Sequence, residues 1–163
     1  MFLDKIKLFL VISICLIFFF ITYNDVKSYE IKIIDGDTIH LNGKKIRFSG
    51  IDTPELKQNC TKNNETVHCG VEAKRLLADK IGNNKVVCIQ EGQDQYKRIL
   101  AECFVNDLSL SSYLVKSGYA FAYRKYSKKF IKDEDYARDN NIGMWSMNFE
   151  FPWDYRKKKL IFI

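Results

Sequence analysis

Ile34-Asp35-Gly36-Asp37-Thr38-Ile39, followed by Arg47-Phe48-Ser49-Gly50-Ile51-Asp52-Thr53-Pro54-Glu55, is the stretch around which this chain is organised. It places four carboxylates and an arginine in two short turns and the strands between them. Carboxylates brought together repel one another unless a cation or protons sit among them. Oxygen ligands that converge from loops suit a hard cation such as calcium. An arginine beside such a cluster calls for an anion, and a phosphate is the simplest. The pattern points to a metal-assisted phosphodiester site. Taken separately the halves say little. Asp-Gly between apolar runs is an ordinary hairpin turn, and Asp52-Thr53-Pro54-Glu55 is an ordinary helix entry. Their combination with Arg47 is what makes the signal specific.

Around this stretch the hydrophobic pattern is that of a curled sheet. Tyr29 to Ile34 alternates, with Tyr29, Ile31 and Ile33 on one face. Thr38–Leu41 and Lys45–Ile51 read as further strands joined by Asn42-Gly43, a favoured hairpin turn. If the sheet curls, the turn at Asp35–Asp37 and the exit at Asp52–Glu55 meet at one end. Leu56 to His68 is polar and reads as a loop. Gly70–Ile81 reads as an amphipathic helix with Ala73, Leu76, Leu77 and Ile81 on one stripe. Lys85–Gln90 and Arg98–Val105 form a hairpin about a turn near Asp94. Asp107 is the expected cap of a helix from Leu108 to Ser117, stopped by Gly118. A short strand follows over Tyr119–Tyr123. Ser127 is the expected cap of a third helix to about Asn140, anchored by Phe130, Tyr136 and Ala137. The aromatic run Phe149-Glu150-Phe151-Pro152-Trp153 should lie across the domain, and the basic run Arg156–Lys159 reads as a solvated end, with nucleic-acid contact as the alternative. Periodicity alone supports an α+β domain.

The cysteines bear on compartment. Four of the five lie in the domain and admit three pairings. Proximity selects Cys60–Cys69 within the polar stretch and Cys88–Cys103 across the hairpin. Free buried thiols are the competing reading. A zinc site would need clustered ligands, and His40 and His68 are too scattered to complete one. Disulfides agree with export to an oxidising compartment.

The 163 residues carry a formal charge of +6, and residues 1–28 hold three basic and two acidic side chains, which leaves +5 to the remainder. A moderately basic domain suits a polyanion without demanding one. At the N-terminus Lys5 and Lys7 precede an apolar run, residues 8–21, broken only by Ser13. Fourteen helical residues span about 21 Å, short of the roughly 30 Å hydrocarbon core, which favours a signal peptide. No small-residue cleavage site follows Ile21, so an uncleaved membrane anchor stays open beside it. In either case the domain faces outward, being exported (periplasmic or secreted) or membrane-anchored. The expected division is 1–28 signal or anchor, 29–156 the folded domain, and 157–163 a basic and apolar tail.

Asp35-Gly36-Asp37-Thr38, Arg47, Ile51-Asp52-Thr53-Pro54-Glu55 and Asp94-Gln95-Tyr96-Lys97-Arg98 together resemble the staphylococcal nuclease (thermonuclease) family. Gly70-Val71-Glu72-Ala73, Leu114-Val115-Lys116-Ser117-Gly118-Tyr119-Ala120 and Ile142-Gly143-Met144-Trp145 are similar to its later segments, so the likeness runs from about Tyr29 to Arg156. It implies an OB-like five-stranded Greek-key barrel with three helices, α+β and mainly β. It implies a calcium-dependent endonuclease on DNA and RNA that leaves 3′-phosphate ends. Asp37 and Asp52, with the carbonyl of Thr53, would hold Ca2+, and Asp35 would stand behind them. Glu55 would hold or activate the attacking water, with Arg47 and Arg98 clamping the phosphate. Tyr96 and Tyr123 resemble nucleotide-contacting tyrosines. The polar stretch before Cys69 is closer to disulfide-bearing exported members. One departure stands out. Lys97 occupies a position where the family has glycine, and a positive φ there is costly for lysine. No protein partner is expected, and a monomer is the expected state.

Two other classes compete. A nucleic-acid-binding module on the same barrel would not need the full set of Asp37, Arg47, Asp52, Glu55 and Arg98. A calcium-binding structural domain would leave both arginines idle.

Overall fold

The computed structural model describes residues 29–161. The apolar segment over residues 8–21 lies outside them, and among the described residues no helix is long and apolar enough to cross a membrane.

Asn42 and Gly43 both take positive φ, 50° and 77°, the backbone of a two-residue hairpin turn whose twist matches its strands. That turn joins β2 (Thr38–Leu41) to β3 (Lys44–Phe48), and β2 also pairs antiparallel with β1 (Ile31–Ile33). The chain then leaves the sheet. β4 (Ile51–Asp52) is followed by a second small hairpin, β5 (Cys60–Lys62) with β6 (Glu65–Val67). This hairpin corrects the loop expected over Leu56–His68. Asn63 and Asn64 supply its turn at φ 50° and 65°, a conformation that asparagine tolerates better than most residues.

Helix α1 (Cys69–Ile81) buries Ala73, Leu77 and Ile81. β7 (Val87–Gln93) and β8 (Ile99–Val105) form the expected hairpin. β8 lies parallel to β3, with Arg47 opposite Leu100, so the main sheet runs β1-β2-β3-β8-β7. Asn106 and Asp107 are a turn, not a helix cap, and lead into β9 (Leu108–Ser109) on the edge of β8. The cap of α2 (Leu110–Lys116) is Ser109, whose hydroxyl accepts from the Ser112 N–H at 3.2 Å. β10 (Phe121–Ala122) pairs antiparallel with β4, placing Phe121 opposite Asp52.

α3 (Ile131–Asp139) starts four residues after Ser127, whose hydroxyl instead closes a turn by accepting from the Lys129 N–H. Its inward face is Phe130, Glu134 and Ala137, one helical stripe, while Tyr136 falls off that stripe and is exposed. A 3-10 turn, Gly143–Ser146, precedes the C-terminal helix α4 (Pro152–Ile161). α4 was not expected, and it runs through the boundary set at residues 156 and 157.

The architecture is the mainly-β α+β, OB-like arrangement, with a fourth helix added. The main core lies between the sheet, α1 and α2, around Ile39, Phe48, Leu77, Ala101 and Leu114. A second cluster holds Cys60, Cys69, Phe121 and Met144, with Trp145, Phe149, Phe151 and Trp153 packed on it. Phe121 is at its centre, 5.0 Å from Phe151 and 5.3 Å from Phe149 between ring centroids. The aromatic tail thus does cross the domain. Disulfides join Cys60 to Cys69 and Cys88 to Cys103, the latter pair directly opposite in the β7–β8 ladder.

Candidate active site

The turn between β1 and β2 and the segment after β4 come together because Asp37 bonds to both. Its Oδ2 accepts from the Thr53 N–H at 3.2 Å and the Thr53 hydroxyl at 3.0 Å. Its Oδ1 accepts from the Thr38 hydroxyl at 3.0 Å and from Arg47 Nη1 at 2.6 Å. Asp35 closes the turn by accepting from the Asp37 N–H at 3.1 Å. Gly36 permits the approach, since a Cβ there would lie 2.9 Å from both Ala73 Cβ and the Thr53 hydroxyl.

Arg47, on β3, bridges two carboxylates. Its Nη2 donates to Asp52 Oδ1 at 2.8 Å while Nη1 holds Asp37. Burial alone would lower its pKa, but Asp37 and Asp52 outweigh that and raise it. Asp37 moves the other way from an ordinary salt-bridged aspartate. Burial raises its pKa more than Arg47 lowers it, and Asp35 pushes in the same direction as burial. Asp37 and Asp52 are almost wholly buried, so the pair needs all the positive charge the site provides.

Glu55 sits at the mouth, 43% exposed. Two neighbours fix its backbone. Gln58, itself buried, accepts from the Glu55 N–H, donates its own N–H to the Glu55 carbonyl, and reaches the Glu150 carbonyl with its side-chain amide at 2.6 Å. Gly70, at the start of α1, lies against the same carbonyl: a Cβ there would stand 1.9 Å from Glu55 O.

Sequence reasoning missed one member of this site. Arg156 of α4 donates to Asp52 Oδ2 at 2.6 Å, to Asp52 Oδ1 at 3.2 Å and to Glu55 Oε1 at 2.8 Å. The run Arg156–Lys159 reads as a solvated end because nothing in it marks a helix that folds back. The signal lay upstream, in the aromatics that dock α4. Trp153 stacks on Phe151 at 4.6 Å and parallel to Tyr123 at 6.0 Å.

The remaining candidates stand apart. Arg98 precedes β8, two residues before Leu100, the register partner of Arg47. Its guanidinium bonds Asp94 at 2.6 Å within its own turn and contacts no site carboxylate. Burial would raise the Asp94 pKa, but hydrogen bonds from the Arg98 backbone and side chain and from Tyr96 bring it below its usual value. Lys97 does take the positive φ, 61°. Tyr96 is 70% exposed, with the Arg98 guanidinium 5.6 Å from its ring centroid. Tyr123 has one face against Trp153.

The oxygen-only donor set of Asp37, Asp52, Thr53 and Glu55 suits a hard cation. As the side chains stand, no three His, Cys, Asp or Glu groups among the described residues converge on a metal-sized point. Arg47 and Arg156 occupy the carboxylate oxygens instead.

A mainly-β barrel with a buried carboxylate–arginine cluster at the β1–β2 turn and the β4 exit defines a class, and the comparisons agree with it. Residues 45–147 match the family described as staphylococcal nuclease homologue, and the chain belongs to that family. A probable staphylococcal-like nuclease CAN2 of Oryza sativa subsp. japonica is 32% identical over 136 residues, which cover 82% of this chain and 34% of that protein. An uncharacterized endonuclease of Haemophilus influenzae is 30% identical over 80% of this chain and 73% of its own. A micrococcal nuclease of Shigella flexneri is 27% identical over 82% of each. The chain spans about a third of the length of the rice relative.

Proposed function

We propose that this protein is a calcium-dependent endonuclease that hydrolyses phosphodiester bonds of DNA and RNA to 3′-phosphate ends, on the outer side of a membrane. The observation that carries the reading is the Asp37–Arg47–Asp52 bridge with Glu55 exposed beside it. A structural calcium domain has no use for the arginine, and a binding module has no use for the buried acids. The names of the bacterial relatives point the same way.

Asp37, Asp52 and the Thr53 carbonyl would hold calcium, with Asp35 behind them. When bound, it supplies Lewis-acid polarisation of the phosphate and a template for its oxygens. Glu55 holds the attacking water and takes its proton at a carboxylate oxygen. Arg47, still 18% exposed, presents its guanidinium to the phosphate and stabilises the charge that grows on it. Arg98 serves from the β7–β8 turn, with Tyr96 offering an open ring face to a base. The disulfides and the apolar N-terminal run support export or tethering.

The test is cleavage of single-stranded DNA by the full-length chain in mild detergent, with calcium and with excess chelator. Glu55→Gln and Arg47→Ala should each reduce calcium-dependent cutting by roughly 100-fold or more. Chelator-insensitive binding without cutting would replace the nuclease with the binding module.

A further inference from the structure

Both oxygens of Asp52 accept from Arg156, and the same guanidinium reaches Glu55. Asp52 is fully buried on β4, where its backbone pairs with Phe121, so it has little freedom to move. Arg156 differs. Its side chain is 38% exposed and comes off a surface helix, so it can swing away while the stacked Trp153 keeps α4 in place. Once Arg156 leaves, Asp37 and Asp52 keep Arg47 as their one ion-pair partner among the described residues, and Glu55 keeps none, with Lys57 and Lys159 only lining the same cleft, so negative charge is in excess. That excess of negative charge is what a divalent cation binds.

We propose that Arg156 is a positioning residue that serves as the site's own counter-cation: its guanidinium occupies the oxygens of Asp52 and Glu55 that calcium would take, so the two compete and the C-terminal helix sets the affinity for the metal. The inference rests on the metal-dependent reading above. It explains how Asp52 and Glu55 stand side by side, with one guanidinium bonded to both. It also assigns a role to a segment that lies beyond residues 45–147, the part of the chain matched to the family.

The experiment compares full-length wild type, Arg156→Gln and Arg156→Lys in mild detergent. Calcium affinity is read by calorimetry and by Tb3+ luminescence, and melting is followed with calcium and with chelator. Arg156→Gln should bind calcium roughly tenfold tighter, within the usual range for coupled sites. Its melting temperature should fall in chelator, because Asp52 is left buried without its partner, and should rise more than that of wild type on adding calcium. Arg156→Lys, a point charge without the paired donors, should fall between the two. A merely structural role would lower both melting temperatures equally and leave the affinity unchanged. That result, weaker binding in Arg156→Gln, or binding by none of the three overturns the proposal. Cleavage read in parallel keeps the nuclease question separate: tight calcium binding without cutting would sink that reading and leave the competition standing.

Discussion

Gly70 shows how closely single residues control this site. It lies in the first turn of α1, well separated from Glu55 in sequence, yet only hydrogen fits between its Cα and the Glu55 carbonyl. Gly70→Ala must displace either the helix start or the Glu55 turn, since the atom it meets is backbone. The expected outcome is a loss of about tenfold or more in DNA cleavage together with roughly 1–3 kcal/mol of stability, checked by initial rates and denaturant midpoints on the same preparation. Gln58 works from the other side by tying the Glu55 turn to the Glu150 carbonyl. Neither residue carries a recognisable chemical motif, because each acts through backbone proximity. Lys97 is the opposite case. Its φ of 61° was legible from the resemblance, since the family usually has glycine there, and the Asp94 carboxylate holds that turn by accepting from the Tyr96 and Arg98 backbone N–H groups.

Among the elements, β10 and α3 decide where Asp52 sits. β10 is only two residues long and pairs with β4 through Phe121 and Ala122. What holds it is Glu134, a fully buried carboxylate on α3 that accepts from the Ala122 N–H at 2.9 Å and pairs with Arg124. Glu134→Ala removes the acceptor, leaves that N–H without its partner and leaves Arg124 only its longer contact with Asp135, at 3.9 Å. It should cost about 3 kcal/mol, measured by chemical denaturation, and should release β10 first, seen as faster amide exchange at Ala122 than at Ala101. The helical spacing of Phe130, Glu134 and Ala137 placed Glu134 on the buried face all along. The apolar pattern pointed instead to Tyr136, because hydrophobicity is what such patterns weigh, and a buried acid is visible only once its donors are known.

The whole molecule depends on a second core that periodicity did not reveal. Phe121, Trp145, Phe149, Phe151 and Trp153 come from three separated segments and meet over the Cys60–Cys69 disulfide. The β5–β6 hairpin joins them, with Thr61 and Asn148 exchanging backbone bonds at 2.9 and 2.8 Å. Replacing Cys60 and Cys69 together by serine should lower stability by roughly 2–3 kcal/mol, read as a drop in denaturant midpoint under non-reducing conditions. Because α4 docks on this cluster, the same variant should loosen the approach of Arg156 to Asp52.

Local chemistry determined much of this protein before any tertiary contact was known. The Asn42-Gly43 turn, the α1 stripe, the β7–β8 hairpin and the spacing of Asp35, Asp37, Arg47, Asp52 and Glu55 along the chain depend on neighbours in sequence, and short-range sterics and alternation specify them. Which carboxylate oxygen faces which guanidinium was decided only by the fold. Arg156 lies 104 residues from Asp52, and its arrival depends on aromatic packing that no local period encodes. Electrostatic partners are chosen by distance in space, and for buried acids that distance is set by the last elements to dock.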